Sequence, residues 1–234
     1  MIKTASLMDL SKFRTKGFQI FKGLYTTTEI SELISFLDQQ DLGNAFGVRR
    51  ILRQYPELAK LLFTPRLRSI IRHIHPKAQV IRSLYFDKPP QANWIVNWHQ
   101  DLTINVKQKK TLPNFKNWRV LPDRVVTRPP ITLLENMFTL RIHLDDCNEQ
   151  NGALRVIPAS HQQGMVDVRN GPDSSLGKKH ICEVPKGGVL LMSPLLLHSS
   201  RRTENEARRR VIHVELSDYV LPRGLEWHEN LSIE

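Results

Sequence analysis

His99 and Asp101 are separated by one residue, Gln100. On an extended strand, positions i and i+2 point to the same side, so an imidazole and a carboxylate converge on one point. That pair suits a divalent metal of intermediate hardness. One further histidine from a distant strand would complete a two-histidine, one-carboxylate face with three coordination positions left open. His198 is the best-placed third ligand, because it ends the apolar run Gly188–Leu197, which reads as a buried strand. Arg209 follows eleven residues later. A dicarboxylic co-substrate that chelates a metal through one end needs a fixed cation at the other, and a planar guanidinium donates two parallel hydrogen bonds to a carboxylate. Arg208, Arg209 and Arg210 are adjacent, and strand alternation turns only one of Arg209 and Arg210 inward. Periodicity leaves that choice open; the spacing from His198 selects Arg209.

Other polar residues have plainer readings. His161 follows a proline-bearing turn and reads as a hydrogen-bond partner that stabilises it. His143 and His213 lie within strands, as pocket wall or core. Gln100 either contacts substrate or faces away, as alternation suggests. Trp94 and Trp98 read equally as core or as a substrate platform. The acidic turn of Asp145, Asp146 and Glu149 lacks calcium-ligand spacing. Cys147 and Cys182 form neither a CxxC pair nor a disulfide framework, which suits a reducing cytoplasm.

The elements that must position these groups fall into two parts. In the first, about residues 1–77, Thr26 stands three residues before Glu29 at capping-box spacing, and Ile30, Leu33, Ile34 and Leu37 follow on one helical face. Thr64-Pro65 opens a second helix, whose face of Leu67, Ile70, Ile71 and Ile74 ends before Pro76. From about residue 78 to 220 the texture is that of short strands: Ala78–Asp87, Asn93–Asp101, Met137–Leu144, Ala153–Pro158, His180–Val184, Gly188–Met192 and Arg209–Tyr219. In Met137–Leu144, alternation places Phe138, Leu140, Ile142 and Leu144 on one face and Thr139, Arg141 and His143 on the other. Helices first and many strands after predict a mainly β single domain over residues 1–234, a jelly roll buttressed by α-helices. Residues 105–130 are rich in lysine, arginine and proline and read as a long loop, in the role of a lid.

The 234 residues carry a formal net charge of +11, with no nucleic-acid-binding motif beside it, so a basic surface and a pocket for small anions is the simpler reading. Met1–Leu10 has no apolar core before a cleavage site, and no run is long enough to span a bilayer. A cytoplasmic protein without a membrane segment is the expectation.

Taken together, Trp98-His99-Gln100-Asp101, the segment from Asn151-Gly152 through Pro158-Ala159-Ser160-His161, and His198 with Arg209 resemble the phytanoyl-CoA dioxygenase family, in the family's order, over about residues 80–216. Ala159 stands where the family usually has glycine. The resemblance implies a double-stranded β-helix, Fe(II) bound by His99, Asp101 and His198, and 2-oxoglutarate anchored by Arg209, with Ser200 and Arg141 reaching the co-substrate. Arg141 departs from relatives that carry an aromatic residue there. The resemblance also turns Arg82, Leu84 and Phe86 inward as pocket lining. The implied reaction consumes O2 and 2-oxoglutarate, releases succinate and CO2, and hydroxylates a C–H bond of a small molecule. Related halogenases lack the carboxylate that Asp101 supplies. The rival expectations are an oxygenase of the same fold acting on nucleic acid or protein, and a jelly-roll binding protein that keeps the ligands without turnover.

Overall fold

The computed structural model describes residues 9–42, 47–88, 94–169, 171–205 and 207–234. The N-terminal stretch 1–8, the Pro89-Pro90 stop and Asn93 lie outside the described residues. In chain order the elements are α1 (Ser11–Lys16), β1 (Phe18–Phe21), α2 (Thr27–Asp38), β2 (Gly47–Arg49), α3 (Ile51–Gln54), α4 (Pro56–Leu62) and α5 (Pro65–Ile74). Then follow β3 (Gln79–Lys88), β4 (Val96–His99), β5 (Ile104–Val106), β6 (Lys116–Val120), β7 (Val125–Arg128), α6 (Ile131–Asn136) and β8 (Phe138–His143). The last strands are β9 (Leu154–Val156), β10 (His180–Cys182), β11 (Val189–Met192), β12 (His198–Ser200) and β13 (Arg209–Ser217).

The two longer helices form where their caps are. Thr26 accepts from the Glu29 amide while the Glu29 carboxylate accepts from the Thr26 amide, so α2 opens with two otherwise orphaned donors satisfied. Thr64 accepts from the Leu67 amide, and Pro65 fills the first turn of α5, where no amide is needed. Their apolar faces, Ile30, Leu33 and Leu37 on α2 and Leu67, Ile70 and Ile71 on α5, are fully buried.

They pack on a six-stranded antiparallel sheet of order β1-β11-β8-β13-β3-β2. Alternation divides this sheet. Phe138, Leu140 and Ile142 of β8 and Ile212, Val214 and Leu216 of β13 join the helices in one core. Thr139, Arg141 and His143, with Arg209, Val211, His213 and Glu215, therefore face the other way. A four-stranded sheet of order β10-β9-β12-β4 supplies the second layer of the jelly roll. Polar side chains from one sheet and metal-ligand types from the other thus meet between the layers.

Three expectations need correction. The first third is not helical alone: β1 and β2 form the two edges of the larger sheet, β1 pairing along β11 and β2 along β3. Residues 105–130 are not an irregular loop, since β5, β7 and β6 make a separate three-stranded sheet. Its apolar residues Ile104, Val106 and Val125 are buried in a satellite core with Trp227, while the many cations fringe it. Charge masked the alternation there. Finally, Gly188–Leu197 is not one strand. It breaks after Met192, and Leu196 N donates to Ser193 O in the turn at Pro194, so His198 opens β12 rather than ending a strand.

Candidate metal and co-substrate site

β4 and β12 pair antiparallel, with His99 directly opposite His198. The imidazole centroids lie 4.2 Å apart. Asp101, two residues beyond the His99 rung, is held by its amide's hydrogen bond to Pro194 O at 2.8 Å. Its carboxylate oxygens stand 3.8 Å from His99 Nε2 and 3.7 Å from His198 Nε2. The ligand atoms of the three residues lie within 4.8 Å of one another.

Whether these residues fit a metal turns on the tautomers. His99 Nδ1 lies 2.7 Å from Asn97 O, and His198 Nδ1 lies 2.8 Å from Leu196 O. A carbonyl oxygen only accepts, so each Nδ1 carries the hydrogen and each Nε2 presents a lone pair toward Asp101. Burial pushes the His198 imidazole down to about 4, which keeps it neutral at ordinary pH. Burial raises the Asp101 carboxyl, but His198, His213, His99 and Arg82 together carry it below its usual value. Two neutral imidazoles and a carboxylate on one face are the donor set that an open Fe(II) site requires.

The turn singled out in the sequence positions one ligand. Ser160 Oγ accepts from Leu197 N at 2.9 Å, and Ile157 N donates to Leu197 O at 3.0 Å, so both backbone groups before His198 are fixed. His161 reaches back to Arg14 O at 3.3 Å, the stabilising role expected of it. Gly152 has φ 79°, and a Cβ there would meet Arg201 O at 2.8 Å. That carbonyl needs the space because it accepts a hydrogen bond from Lys88 Nζ at 3.1 Å.

A cavity of about 170 Å³ adjoins the cluster. Its far wall belongs to β3, β8 and β13: Arg82, Leu84, Phe86, Lys88, Arg141, Arg209, His213 and Glu215, with Ser200 of β12 and Trp94 nearby. Arg82, Leu84 and Phe86 thus all lie on the cavity side of β3. Arg209 lines the cavity, whereas Arg210 turns outward and binds Asp145. The register settles what periodicity left open.

Gln100 takes the second of its two readings and faces away from the cavity. Its Nε2 donates to Gly164 O at 2.7 Å and Leu195 O at 2.6 Å, and its Oε1 accepts from Val166 N at 2.8 Å. The amide is committed to backbone and does not line the cavity, so it is a clamp for the segment that carries His99 and Asp101. Trp98 faces away too, beneath Arg155 and Lys179.

Residues that sequence reasoning missed include Lys88 and Glu215. Lys88 is buried opposite Arg209, donates to Trp94 O and Arg201 O, and is pushed down to about 8 by burial and by Arg209. Glu215 accepts from Arg82 at 2.8 Å and lies 3.3 Å from His213 Nε2. Arg141 donates to His213 Nδ1 at 3.0 Å, so His213 carries its hydrogen on Nε2 toward Glu215. Inward alternation on β13 was the available signal for Glu215; a strand-end lysine gave none.

Buried donors without partners mark where ligands belong. Among the described residues, Arg141 Nε and Arg209 Nε, on side chains that line the cavity, have no hydrogen-bond partner. Burial, then Arg209, lowers Arg141 to about 10, still a cation at neutral pH. Leaving such groups dry and unpaired is costly, so the cavity suits an anionic guest.

A jelly roll with two histidines and a carboxylate at one layer and an arginine across the cavity defines a metal-dependent oxygenase that uses 2-oxoglutarate. The chain belongs to the phytanoyl-CoA dioxygenase (PhyH) family, whose model matches residues 13–211. A probable alpha-ketoglutarate-dependent hypophosphite dioxygenase of Stutzerimonas stutzeri is 20% identical over 239 residues, 86% of this chain and 74% of that protein. HygX of Streptomyces hygroscopicus, solved with nickel and 2-oxoglutarate bound, aligns with TM-score 0.65 at 18% identity, covering 89% of this chain and 85% of HygX. SnoN, a non-heme alpha ketoglutarate dependent epimerase from nogalamycin biosynthesis, aligns with TM-score 0.68 at 13% identity, covering 97% and 88%. At these identities the structural likeness is one of fold. No helix among the described residues is long and apolar enough to cross a membrane.

Proposed function

We propose that the protein hydroxylates a C–H bond of a small molecule, with Fe(II) held by His99, Asp101 and His198 and 2-oxoglutarate anchored by Arg209 and Ser200. The observation that carries this reading is the pair of imidazoles whose Nδ1 atoms are engaged by carbonyls while both Nε2 atoms face the Asp101 carboxylate. When bound, metal, co-substrate and O2 supply the oxidising chemistry, with succinate and CO2 as co-products.

The chain's own residues do the positioning. Arg209, on the wall facing the ligand cluster, and Ser200, two residues beyond His198 on β12, both line the cavity and fix the far carboxylate of the co-substrate. Leu84, Phe86, Val96 and Leu154 supply apolar wall, which limits water around the charged groups. Asp101 keeps a carboxylate in the ligand set, which favours hydroxylation over halogenation. Epimerisation, the activity named for SnoN, is the second outcome available to this fold.

Anaerobic titration of the metal-free protein with Fe(II) and 2-oxoglutarate tests the site. A weak visible charge-transfer band is expected in wild type, absent in His99→Ala and weakened in Arg209→Ala. No band from folded protein with iron in excess would overturn the reading. Under oxygen, a product that gains one oxygen atom identifies hydroxylation, and an isomer of unchanged mass identifies epimerisation.

A further inference from the structure

The cavity holds more positive charge than its metal and co-substrate would use. Of its two carboxylates, Asp101 belongs to the ligand cluster and Glu215 is paired with Arg82 at 2.8 Å. Lys88 is committed to the Trp94 and Arg201 carbonyls, which leaves Arg141 and Arg209, and among the described residues neither guanidinium has a carboxylate partner. Arg141 donates to an imidazole, and Arg209 hydrogen-bonds the Cys147 thiol. A co-substrate with one carboxylate on the metal has only one other to offer, so it neutralises one guanidinium.

Arg209 is at the rung of Lys88 and Arg141 at the rung of His213, four residues further along β13, so their backbones are about 13 Å apart along the strand while their charges still act on each other. The field of Arg141 reaches both Asp101 and His198. Its guanidinium is fixed between His213 and the face of Phe86, with Nε buried and unpartnered. A cation so held, dry and rigid beside the reacting centre, is built for a planar or tetrahedral oxyanion.

We propose that Arg141 recognises the primary substrate, and that this substrate is a small molecule bearing a carboxylate or a phosphorus oxyanion. The inference rests on the oxygenase reading above, and it revises the co-substrate role that family resemblance alone would give Arg141. A cavity of about 170 Å³, partly filled by 2-oxoglutarate, leaves space for only a small anion beside Arg141.

The test is anaerobic calorimetry on protein loaded with Fe(II) and 2-oxoglutarate, with propionate, methylphosphonate and neutral propionamide as probes. At least one anion should bind at least tenfold more tightly than propionamide; which one does so separates the carboxylate from the phosphorus source. Arg141→Gln should abolish that preference while changing the affinity for 2-oxoglutarate less than twofold, and Arg141→Lys should restore part of it. Arg209→Gln should do the reverse, weakening 2-oxoglutarate. Thermal melting of each variant confirms that it is folded, and Arg141→Lys keeps the test open if the glutamine variant is not. Equal binding of anions and amide overturns the proposal, as does an Arg141→Gln variant that loses 2-oxoglutarate and keeps the anion. Wild type that binds no 2-oxoglutarate refutes the oxygenase reading first and this proposal with it.

Discussion

Arg209 and Arg210 are neighbours of the same type, yet their substitution by glutamine should separate binding from stability. Arg210 donates through Nε and Nη2 to Asp145 at 2.9 and 2.8 Å and reaches Asp38 at 3.3 Å, with its side chain 10% exposed. Removing this partner leaves a largely buried carboxylate uncompensated, at a cost of about 2–3 kcal/mol. For a chain of this size each kcal/mol moves the melting temperature by about 2–4 °C, so Arg210→Gln should lower Tm by about 4–12 °C. Its affinity for 2-oxoglutarate should stay within about twofold, because Arg210 does not line the cavity. Among the described residues Arg209 has no carboxylate partner, and its buried Nε has no hydrogen-bond partner. Arg209→Gln should therefore leave the Tm of metal-free protein unchanged or raise it. Two charge-assisted hydrogen bonds to the co-substrate would be lost, about 3 kcal/mol in total, or roughly 100-fold in Kd. Differential scanning calorimetry and anaerobic 2-oxoglutarate titration read the two effects. If Arg210→Gln weakens 2-oxoglutarate as much as Arg209→Gln does, the assignment of faces on β13 is wrong.

Three further outcomes follow from the same geometry. Lys88 is depressed to about 8 from 10.5, so between those values the folded chain binds fewer protons than the unfolded one. Stability should then rise with pH across that window by at most about 3 kcal/mol, with the penalty fully present below about pH 8. Urea unfolding of Lys88→Met should lack that slope; an identical pH profile would show that Lys88 titrates normally. Ala159 has φ 66°, the left-handed region, and Ala159→Gly should raise stability by about 1 kcal/mol; a Tm that falls would mean its methyl contributes packing that outweighs the strain. Gln100→Ala removes the hydrogen bonds to Gly164, Leu195 and Val166 and should cost about 2–3 kcal/mol, with no change in which substrate is preferred. Altered substrate choice at unaltered stability would restore Gln100 to the pocket.

The ligand cluster was legible because its signals are local in type if not in sequence: an i, i+2 pair, a third histidine and a turn motif. β8 was legible because its two faces differ sharply, Phe138, Leu140 and Ile142 against Thr139, Arg141 and His143. β1 was not, because Phe18–Phe21 is four residues with apolar ends, and it becomes a strand only by lying along β11. Residues 105–130 misled through composition: lysines and arginines at the rim hid Val106 and Val125, whose burial depends on the distant Trp227 and Leu225. Gln100 could not be read at all from spacing, since its partners Gly164 and Leu195 are 64 and 95 residues away. The surplus cation at Arg141 emerged only once every carboxylate in the cavity had been assigned a partner.

Among the described residues β4 is the outermost strand of its sheet, hydrogen-bonded along one side, to β12. An edge strand of four residues is a weak attachment, prone to fray and to offer its free side to other chains. His99 and His198 face each other on the rung where these strands meet, so an ion held by both is a rivet through the last joint of the sheet. Metal occupancy would then be readable in amide hydrogen exchange at Val96–His99. Iron scarcity would do more than silence the enzyme: it would loosen a β-edge and leave the starved chain easier to cleave and quicker to aggregate than the loaded one.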